Sequence, residues 1–330
     1  MPPTAPDTKP KLTVIGESLV DVISHPHKPG IQTVIRPGGS PLNVAIGCAR
    51  LGMMTNLITH YAEDRHGRMI EEQLTANGVA ALVGGSAPTS VATANLDQAG
   101  AASYTFDISW DLKGVSLPAL SAVDSSRHVH TGSIATVLAP GRDDVYTLLE
   151  AARGHATISY DPNCRPAISG DADRTRRDIE RFVAASDIVK ASDEDLAWLY
   201  PDRTPEQTME AWLKLGPALV AVTRGADGPA ITNRQRTVQV PARKTDVADT
   251  VGAGDSFMAG LIAWLDTRNL LGAGARGKLG DLSPQELRNL LDYANRAAAI
   301  TCSRPGADPP WTREVNSDGF AVPADFKAVR

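Results

Sequence analysis

The sequence predicts an α/β protein with a central, mainly parallel sheet, helices on both of its faces and a small β-sheet lid. Strand-like and helix-like segments alternate along most of the chain, which is typical of a parallel sheet covered by helices. The 330 residues suffice for one large α/β domain. Two early segments break this rhythm, because they alternate in the manner of exposed β-ribbons.

The predicted strands begin with Leu12–Ile15, a short apolar run. Ser40 and Pro41 are expected to begin the first helix, with Ser40 as N-cap and Pro41 at the first helical position, and Gly52 to end it. Further strands are predicted at Asn56–Tyr61, His128–His130, Thr157–Tyr160, Asp187–Val189 and Leu219–Thr223.

Apolar residues at helical spacing predict the helices between these strands. His66–Asn77 is one such segment, and Gly78 is expected to end it. The spacing from Ser283 to Glu286 is that of a capping box and predicts a final long helix that reaches about Cys302. Other helices are predicted at about Asp143–Arg153, Asp173–Ala184 and Pro205–Leu215.

The two β-ribbons are Ile31–Arg36 and Ser90–Ile108, the second with a turn at Gln98–Gly100. A small sheet made of them would lie as a lid over the carboxyl ends of the parallel strands, where open α/β sheets bind ligands. The alternative is a pair of edge hairpins without such a role. We therefore predict a short disordered tail over residues 1–10 and a single domain over 11–330, with lid strands inserted at about 20–37 and 88–110.

Composition excludes several classes of protein. Lys and Arg number 33 and Asp and Glu 38, a net charge of −5, so there is no basic excess to bind nucleic acid. Three widely spaced cysteines predict neither a disulfide framework nor a thiolate zinc site. No apolar run approaches the roughly 20 residues of a membrane span, and the first residues lack the apolar core of a signal peptide. We expect a cytoplasmic protein without nucleic-acid or membrane partners.

The segment Asp249–Phe257 is the most informative of the chain. Gly252, Ala253 and Gly254 let the backbone point consecutive N–H groups at one spot, and the positive end of the following helix adds to them. This pattern predicts an anion hole for a phosphate. Asp255 would repel a bound phosphate, but it suits the group that orients an attacking hydroxyl and accepts its proton. The alternative is an aspartate favoured at a helix start by the helix dipole alone.

Two competing phosphate motifs fail. Gly272–Lys278 has the spacing G-x-x-x-x-G-K, but Leu279 stands where a P-loop requires Ser or Thr. No G-x-G-x-x-G follows the first strand, which argues against a nicotinamide-dependent oxidoreductase.

A second cluster of glycines, Gly38 and Gly39, precedes Asn43 at the start of the first helix. Glycine allows a ligand to approach closely, and Asn43 offers both a donor and an acceptor. Asp21, just past the first strand, can accept hydrogen bonds from sugar hydroxyls. Each of these residues alone is also explained as a turn, a cap or a surface carboxylate. Their joint position at strand ends favours a binding site.

The segments Gly38–Asn43 and Asp249–Phe257 resemble, in order and separation, the two sequence motifs of the PfkB, or ribokinase-like, carbohydrate kinase family. The similarity extends over about residues 12–309. Further segments resemble bacterial fructokinases in particular: Gly16–Asp21, Tyr104–Asp107, His130–Ser133, Asp161–Pro166 and Val189–Ser192.

The resemblance implies a ribokinase-like three-layer α/β/α sandwich and an ATP-dependent kinase for a primary hydroxyl of a small sugar. D-Fructose, giving fructose 6-phosphate, is the first expectation. The alternatives are a kinase for 2-keto-3-deoxygluconate, ribose or a nucleoside, and a non-catalytic regulator that binds a sugar or nucleotide.

The resemblance also assigns roles to individual residues. Asp255 would be the catalytic base, and Gly252, Ala253 and Gly254 would form the anion hole. The sugar would be held by Asp21, Gly38, Gly39, Asn43 and Arg165. The nucleotide would be bound by Lys190, Thr223, Gly225, Gly228 and, near adenine, Asn295.

Metal ions and a partner subunit are implied in the same way. Where the family has Asn-x-x-Glu, this chain has Ser192–Asp195, so Asp195 would organise Mg²⁺ through water; the alternative is a helix capped by Ser192 with acids in its first turn. Many relatives bind a monovalent cation, K⁺ among the candidates, through backbone around the second motif and the C-terminal loop. Asp249 and Val251 match, but Pro310 stands where a hydroxyl residue is often found. The lid would pair two subunits in a homodimer.

Overall fold

A computed structural model describes residues 12–27, 30–96 and 102–317, and its central feature is a nine-stranded sheet. Strands and helices are numbered along the chain. In spatial order the sheet contains β13 (Thr237–Gln239), β12 (Ala230–Thr232), β11 (Leu219–Thr223), β10 (Ile188–Ser192), β9 (Thr157–Asp161), β8 (His128–Gly132), β1 (Leu12–Ile15), β4 (Thr55–His60) and β5 (Ala80–Gly84). Neighbours from β11 to β5 are parallel, and β12 and β13 are antiparallel at one edge.

A second, four-stranded sheet has the order β3 (Gly30–Gly38), β2 (Leu19–His27), β6 (Ser90–Leu96) and β7 (Ala102–Asp107). Two antiparallel hairpins, β2–β3 and β6–β7, join through a parallel pairing of β2 with β6. Only residues 16–18 separate β2 from the carboxyl end of β1. The prediction of a small separate sheet is therefore confirmed, whereas the predicted tail over 1–10 and the turn at 98–100 lie outside the described residues.

Helices cover both faces of the large sheet, which confirms the three-layer α/β/α sandwich. Alternate residues of a strand point to opposite faces, so Val14 lies in one apolar cluster and Ile15 in the other. The first cluster includes residues of α1 (Ser40–Arg50), α2 (Arg65–Ala76), α9 (Ala253–Thr267), α10 (Arg276–Gly280), α11 (Pro284–Cys302) and α12 (Thr312–Val315). The second includes residues of α3 (Ser116–Asp124), α4 (Gly141–Ala152), α6 (Ala172–Ala185), α7 (Asp193–Leu199) and α8 (Pro205–Leu215), and a short α5 (Pro166–Ser169) precedes α6.

Helix α9 lies in the centre of the first layer and is buried from Asp255 to Leu265. Gly260 lets α11 approach closely, because a Cβ there would lie 2.8 Å from Cα of Ala294. A helix buried along this length cannot shift without disturbing a close-packed core. The N-terminus of α9 is therefore held in a fixed place.

Most predicted elements are present with ends shifted by one or two residues. The predicted N-cap of α1 is wrong: Gly39 occupies that position with φ 110°, and Ser40 is already helical. Ser40 cannot cap because its hydroxyl is bonded elsewhere, as described below. Strands β5, β12 and β13, helix α3 and the short helices α5, α10 and α12 were not predicted. The strands are short, and α3 contains a proline and lacks a side-chain cap.

Within the described ranges, no helix combines the length and the apolar character needed to cross a bilayer.

Candidate active site

The loop before α9 requires glycine at its last position. Gly252 occupies the N-cap with φ 75° in the left-handed region, which glycine adopts without the cost that other residues incur. A Cβ at Gly252 would lie 2.6 Å from Cβ of Ala307. Ala253 donates its N–H to the carbonyl of Thr250 at 3.2 Å. The predicted anion-hole residues thus form a tight turn that leads into the positive end of a buried helix.

Asp255, the third residue of α9, is 8% exposed and is oriented by two side chains of α1. Ser40 Oγ donates to one carboxylate oxygen at 2.6 Å, and Asn43 Nδ2 donates to the other at 2.8 Å. These partners are 215 and 212 residues away along the chain. The structure thereby brings the two predicted motifs together. It adds Ser40, whose position directly after two glycines was the available signal for a role at the site.

Lys190 lies beside the same helix N-terminus. Its Nζ donates to Oδ2 of Asp161 at 2.7 Å, and both side chains are buried. A Cβ at Gly254 would lie 2.8 Å from Nζ, so glycine leaves room for the ammonium group. Burial alone would lower the pKa of Lys190, but Asp161 and then Asp195 and Asp255 raise it above the ordinary value. The ammonium therefore stays charged next to the predicted phosphate position.

The pKa of the Asp161 carboxyl group is also shifted. Burial raises its pKa to about 6, against the attraction of Lys190. The buried pair therefore has an acidic partner that gains a proton in mildly acidic solution.

Asp195 forms a capping box with Ser192, the N-cap of α7. One oxygen accepts from the N–H and hydroxyl of Ser192 at 2.8 and 2.7 Å, and the other accepts from the N–H of Cys164 at 2.7 Å. These bonds use three of the about four acceptor positions of a carboxylate. The arrangement matches the capping alternative and leaves little capacity for direct metal ligation. An action of Asp195 on Mg²⁺ through water stays a prediction.

Asp21, Gly38 and Gly39 meet where β2, β3 and α1 join. A Cβ on Gly38 would collide with the carboxylate of Asp21, and a Cβ on Gly39 would lie 2.6 Å from the carbonyl oxygen of Glu17. Burial raises the pKa of Asp21, and the charge of Arg165 partly opposes this rise. Arg165 is exposed and donates to Oδ1 of Asn163 at 2.8 Å. These candidates for sugar binding are therefore neighbours, whereas Asn43 lies at Asp255.

The predicted nucleotide residues lie around the end of β11. Thr223 is its last residue, and Gly225 and Gly228 follow with φ 45° and 77°. A Cβ on Gly228 would collide with the carbonyl of Val240. Asn295 of α11 donates from Nδ2 to the carbonyl of Pro241 at 2.9 Å. Gly228 and Asn295 thus contact the same connecting segment after β13.

Asp249 ties the loop before α9 to the loop after α11. Its oxygens accept from the N–H of Val251 at 3.1 Å and from the N–H of Gly306 at 2.8 Å. Burial opposes ionisation, but these hydrogen bonds lower the pKa of Asp249. In the described part of the chain, no three His, Cys, Asp or Glu side chains gather as a metal cage. The K⁺ role of Asp249 and Val251 stays a prediction.

Glu17 is a buried carboxyl at this edge for which the sequence predicted no role. Only 3% of it is exposed, and Oε2 accepts the N–H of Ala135 at 3.2 Å. Burial raises its pKa to about 7, while hydrogen bonds from Ser133 and Ala135 and the charge of Arg165 act in the opposite direction. No local pattern marks a glutamate after a strand as buried.

We expect Glu17→Gln to flatten the pH dependence of stability. A folded-state pKa of about 7, against an ordinary 4.5, means that the folded protein binds the proton more tightly than the unfolded chain. This contribution is fully present below pH 4.5 and is lost as the pH rises through 7, a difference of about 3 kcal/mol. Denaturant unfolding at pH 5 and pH 8 measures it. Parallel profiles for the wild type and the variant would contradict the shifted pKa.

Comparison with known proteins identifies the family of this chain. The model of the pfkB family of carbohydrate kinases matches residues 9–313. The chain belongs to the pfkB family of carbohydrate kinases. It is therefore a phosphotransferase that acts on a carbohydrate, as the two motifs predicted.

Several curated relatives are named fructokinase. The protein of Rhizobium leguminosarum bv. trifolii is 34% identical over 83% of this chain and 84% of its own length. That of Klebsiella pneumoniae is 31% identical over 90% and 94%. Among solved structures, an uncharacterized sugar kinase from Pyrococcus horikoshii in complex with ATP is 26% identical, with a TM-score of 0.73 over 92% and 99% of the two chains. A fructokinase with bound ATP from Xylella fastidiosa, 22% identical over 92% and 97%, shares the fold with a TM-score of 0.81.

Proposed function

We propose that the protein is an ATP-dependent fructokinase that converts D-fructose to fructose 6-phosphate. One observation carries the catalytic part of the proposal: the Asp255 carboxylate is held by Ser40 and Asn43 at the N-terminus of α9, with the Lys190 ammonium beside it. The names of the relatives that cover most of the chain support fructose as the substrate.

In the proposed reaction the primary hydroxyl of the sugar attacks the γ-phosphorus of ATP. The new O–P bond forms, the bond from phosphorus to the bridging oxygen breaks, and ADP leaves. Asp255 orients the hydroxyl and accepts its proton, which can depart late in a loose transition state. The N–H groups of Gly252 and Gly254, the dipole of α9 and Lys190 stabilise the charge on the transferring group, while the N–H of Ala253 closes the turn between them.

Asp21, Gly38, Gly39 and Arg165 hold the sugar, and the four-stranded sheet closes over it. Closure keeps out water, which would otherwise compete as phosphoryl acceptor. Asn43, which donates to Asp255 at 2.8 Å, links the sugar side of the site to the base.

In this proposal the nucleotide is bound by Thr223, Gly225, Gly228 and Asn295. The Mg²⁺ that accompanies ATP neutralises phosphate charge. Asp195 suits only an indirect contact with the ion, because its oxygens already accept three hydrogen bonds. The Asp249 loop is the candidate for a K⁺ effect, which activity with K⁺ and with Na⁺ would measure.

Pairing of two subunits through the four-stranded sheet is the remaining part of the proposal. Light scattering would then give twice the chain mass of 34.9 kDa. Replacement of the exposed Thr105 and Asp107 of β7 by lysine is expected to restore the mass of one chain.

We expect Asp21→Ala to raise the sugar KM about 10- to 100-fold, because a hydrogen bond to a charged group contributes roughly 1.5–3 kcal/mol. The KM for MgATP is expected to change less than about twofold, since the nucleotide candidates lie around β11. Steady-state kinetics measures both constants. Asp124→Ala, an exposed carboxylate at the end of α3, is the control. A change confined to the KM for MgATP would contradict this placement of the sugar.

A substrate panel tests the proposed function. Release of ADP from MgATP is measured with fructose, ribose, 2-keto-3-deoxygluconate, tagatose and adenosine, each with wild type and Asp255→Asn. We expect turnover with fructose that is lost in the variant. Turnover only with another member would replace the substrate but keep the mechanism. Bound ATP without turnover on any member would favour a regulator.

A further inference from the structure

Glu17 is a buried carboxyl that the proposed reaction leaves without a role. It lies in the connection between β1 and β2, at the carboxyl edge of the large sheet. The N–H of Ala135 donates to its Oε2 at 3.2 Å, and Ser133 bonds to the same carboxyl group. The carboxylate therefore joins the end of β1 to the turn that follows β8.

The turn that begins at Ser133 needs stabilising hydrogen bonds. Ser133 has φ 57°, in the left-handed region that residues other than glycine seldom adopt. Such a conformation costs of order 1–3 kcal/mol and persists only where the surroundings hold it. The hydrogen bonds from Ser133 and Ala135 to the buried Glu17 carboxylate stabilise this conformation.

The backbone of Glu17 also lies close to Gly39, one of the residues proposed to bind the sugar. Its carbonyl oxygen lies 2.6 Å from the place where a Cβ on Gly39 would stand. The charge of Arg165 acts on the carboxyl groups of both Glu17 and Asp21. Arg165 is exposed, and its guanidinium donates hydrogen bonds to Asn163 and Cys164 of the loop that carries it. Both acidic side chains therefore attract this guanidinium.

We propose that Glu17 is a positioning residue for the sugar, an inference that rests on the proposed kinase function. Its carboxylate fixes the turn over residues 133–135 and holds the Arg165 guanidinium near Asp21. A neutral amide in its place would still accept the N–H of Ala135, but it would no longer attract Arg165. Sugar affinity therefore depends on the charge of Glu17, and nucleotide affinity does not.

This charge changes near neutral pH, because burial raises the pKa of Glu17 to about 7. The charged groups on the surrounding elements are Asp21 from β2 and Arg165 from the loop after β9. The turn after β8 contributes the uncharged Ser133, and α1 carries no charged residue before Arg50. As the pH falls from 8 to 6, Glu17 takes up a proton, the attraction to Arg165 weakens, and the sugar KM rises.

The test measures kcat and both KM values between pH 6 and 8 for wild type, Glu17→Gln and Arg165→Gln, with fructose as the sugar. We expect Glu17→Gln to raise the fructose KM about tenfold at pH 8, with kcat and the KM for MgATP within about twofold. The fructose KM of the variant is expected to vary less with pH than that of the wild type. Asp187→Asn is the matched control, since Asp187 is a largely buried carboxyl paired with Arg276 away from this pocket.

The combined variant separates positioning from a loss of folding. Glu17→Gln is expected to be the more stable protein at pH 8, and Arg165 is exposed, so both substitutions leave the fold in place. If Glu17 acts through Arg165, the fructose KM of the double variant exceeds that of either single variant by less than about twofold. If the effects of the two single substitutions on the fructose KM multiply in the double variant, the inference is overturned.

Three other results of the kinetic test also bear on the role of Glu17. An unchanged fructose KM in Glu17→Gln, equal effects on both KM values, or an unaltered pH dependence would each overturn the role of Glu17. An active wild type with any of these results leaves the proposed function intact. A wild type that phosphorylates no sugar overturns the proposed function, and this inference with it.

Discussion

Replacing Asp255 with asparagine is expected to lower kcat by about 10²- to 10⁴-fold, the usual contribution of a positioned general base. The amide matches the carboxylate in shape and can still accept the bond from Ser40, which is 2.6 Å long in the wild type. Asn43 can turn its own amide to face the new group. The site therefore keeps its geometry and loses the proton acceptor.

The fold and the affinity for substrates are expected to survive this change. The melting temperature should shift by only a few degrees, and the two KM values should stay within about threefold. Steady-state kinetics with the sugar of highest turnover measures kcat. Asp173→Asn is the matched control, because Asp173 is an exposed aspartate in the first turn of α6. It removes the same charge from a helix N-terminus without touching the site. A kcat within tenfold of the wild type would contradict the role of Asp255 as base.

The parts of the site that the sequence predicted share one property: they depend on local chemistry. Three small residues before an apolar helix predict a turn with free N–H groups, whatever the rest of the chain does. The structure places Gly252 in the left-handed region at the N-cap of α9, as such a turn requires. The parallel sheet is predictable for a similar reason, since alternating strands and helices leave few ways to bury their apolar faces.

Contacts between distant segments could not be predicted in this way. Ser40 appears in the sequence as an ordinary cap, and only the packing of α1 against α9 places its hydroxyl on Asp255. The sequence assigns Glu17 no role of its own, and only the turn after β8 encloses its carboxyl group. For Lys190, the family resemblance assigned the nucleotide side, but its pairing with Asp161 follows from the register of β9 and β10. The capping role of Asp195, in contrast, could be predicted, because it depends only on Ser192, three residues away in the chain.

The buried pair of Lys190 and Asp161 gives the second large expected effect. Removing one partner of a buried ion pair leaves the other charge uncompensated and costs about 3–5 kcal/mol. We expect Lys190→Met to reduce the free energy of unfolding by this amount at pH 8. Loss of the ammonium from the N-terminus of α9 is also expected to lower kcat about 10²-fold or more. Denaturant unfolding and steady-state kinetics measure the two effects.

The loss of stability is expected to depend on pH. Burial raises the pKa of Asp161 to about 6 even with Lys190 beside it, so without the ammonium this pKa rises further. The folded variant then holds a proton that the unfolded chain releases, and its stability falls as the pH rises through neutrality. At pH 5 the carboxyl is already neutral, and the loss relative to the wild type is smaller. Lys214→Met, an exposed lysine at the end of α8, is expected to change neither quantity.

A double variant separates the structural role of the pair from its role in the reaction. Lys190→Met with Asp161→Asn leaves no unpaired charge, so most of the lost stability should return, and the amide can still accept the N–H that Asn163 donates to Asp161 at 3.2 Å. Turnover should stay low, because the positive charge next to Gly254 is still missing. Recovery of both would mean that Lys190 serves only to neutralise Asp161. Recovery of stability alone would mean that this sheet buries a charge pair, at a cost in desolvation, in order to hold an ammonium group where the transferring phosphoryl group becomes most negative.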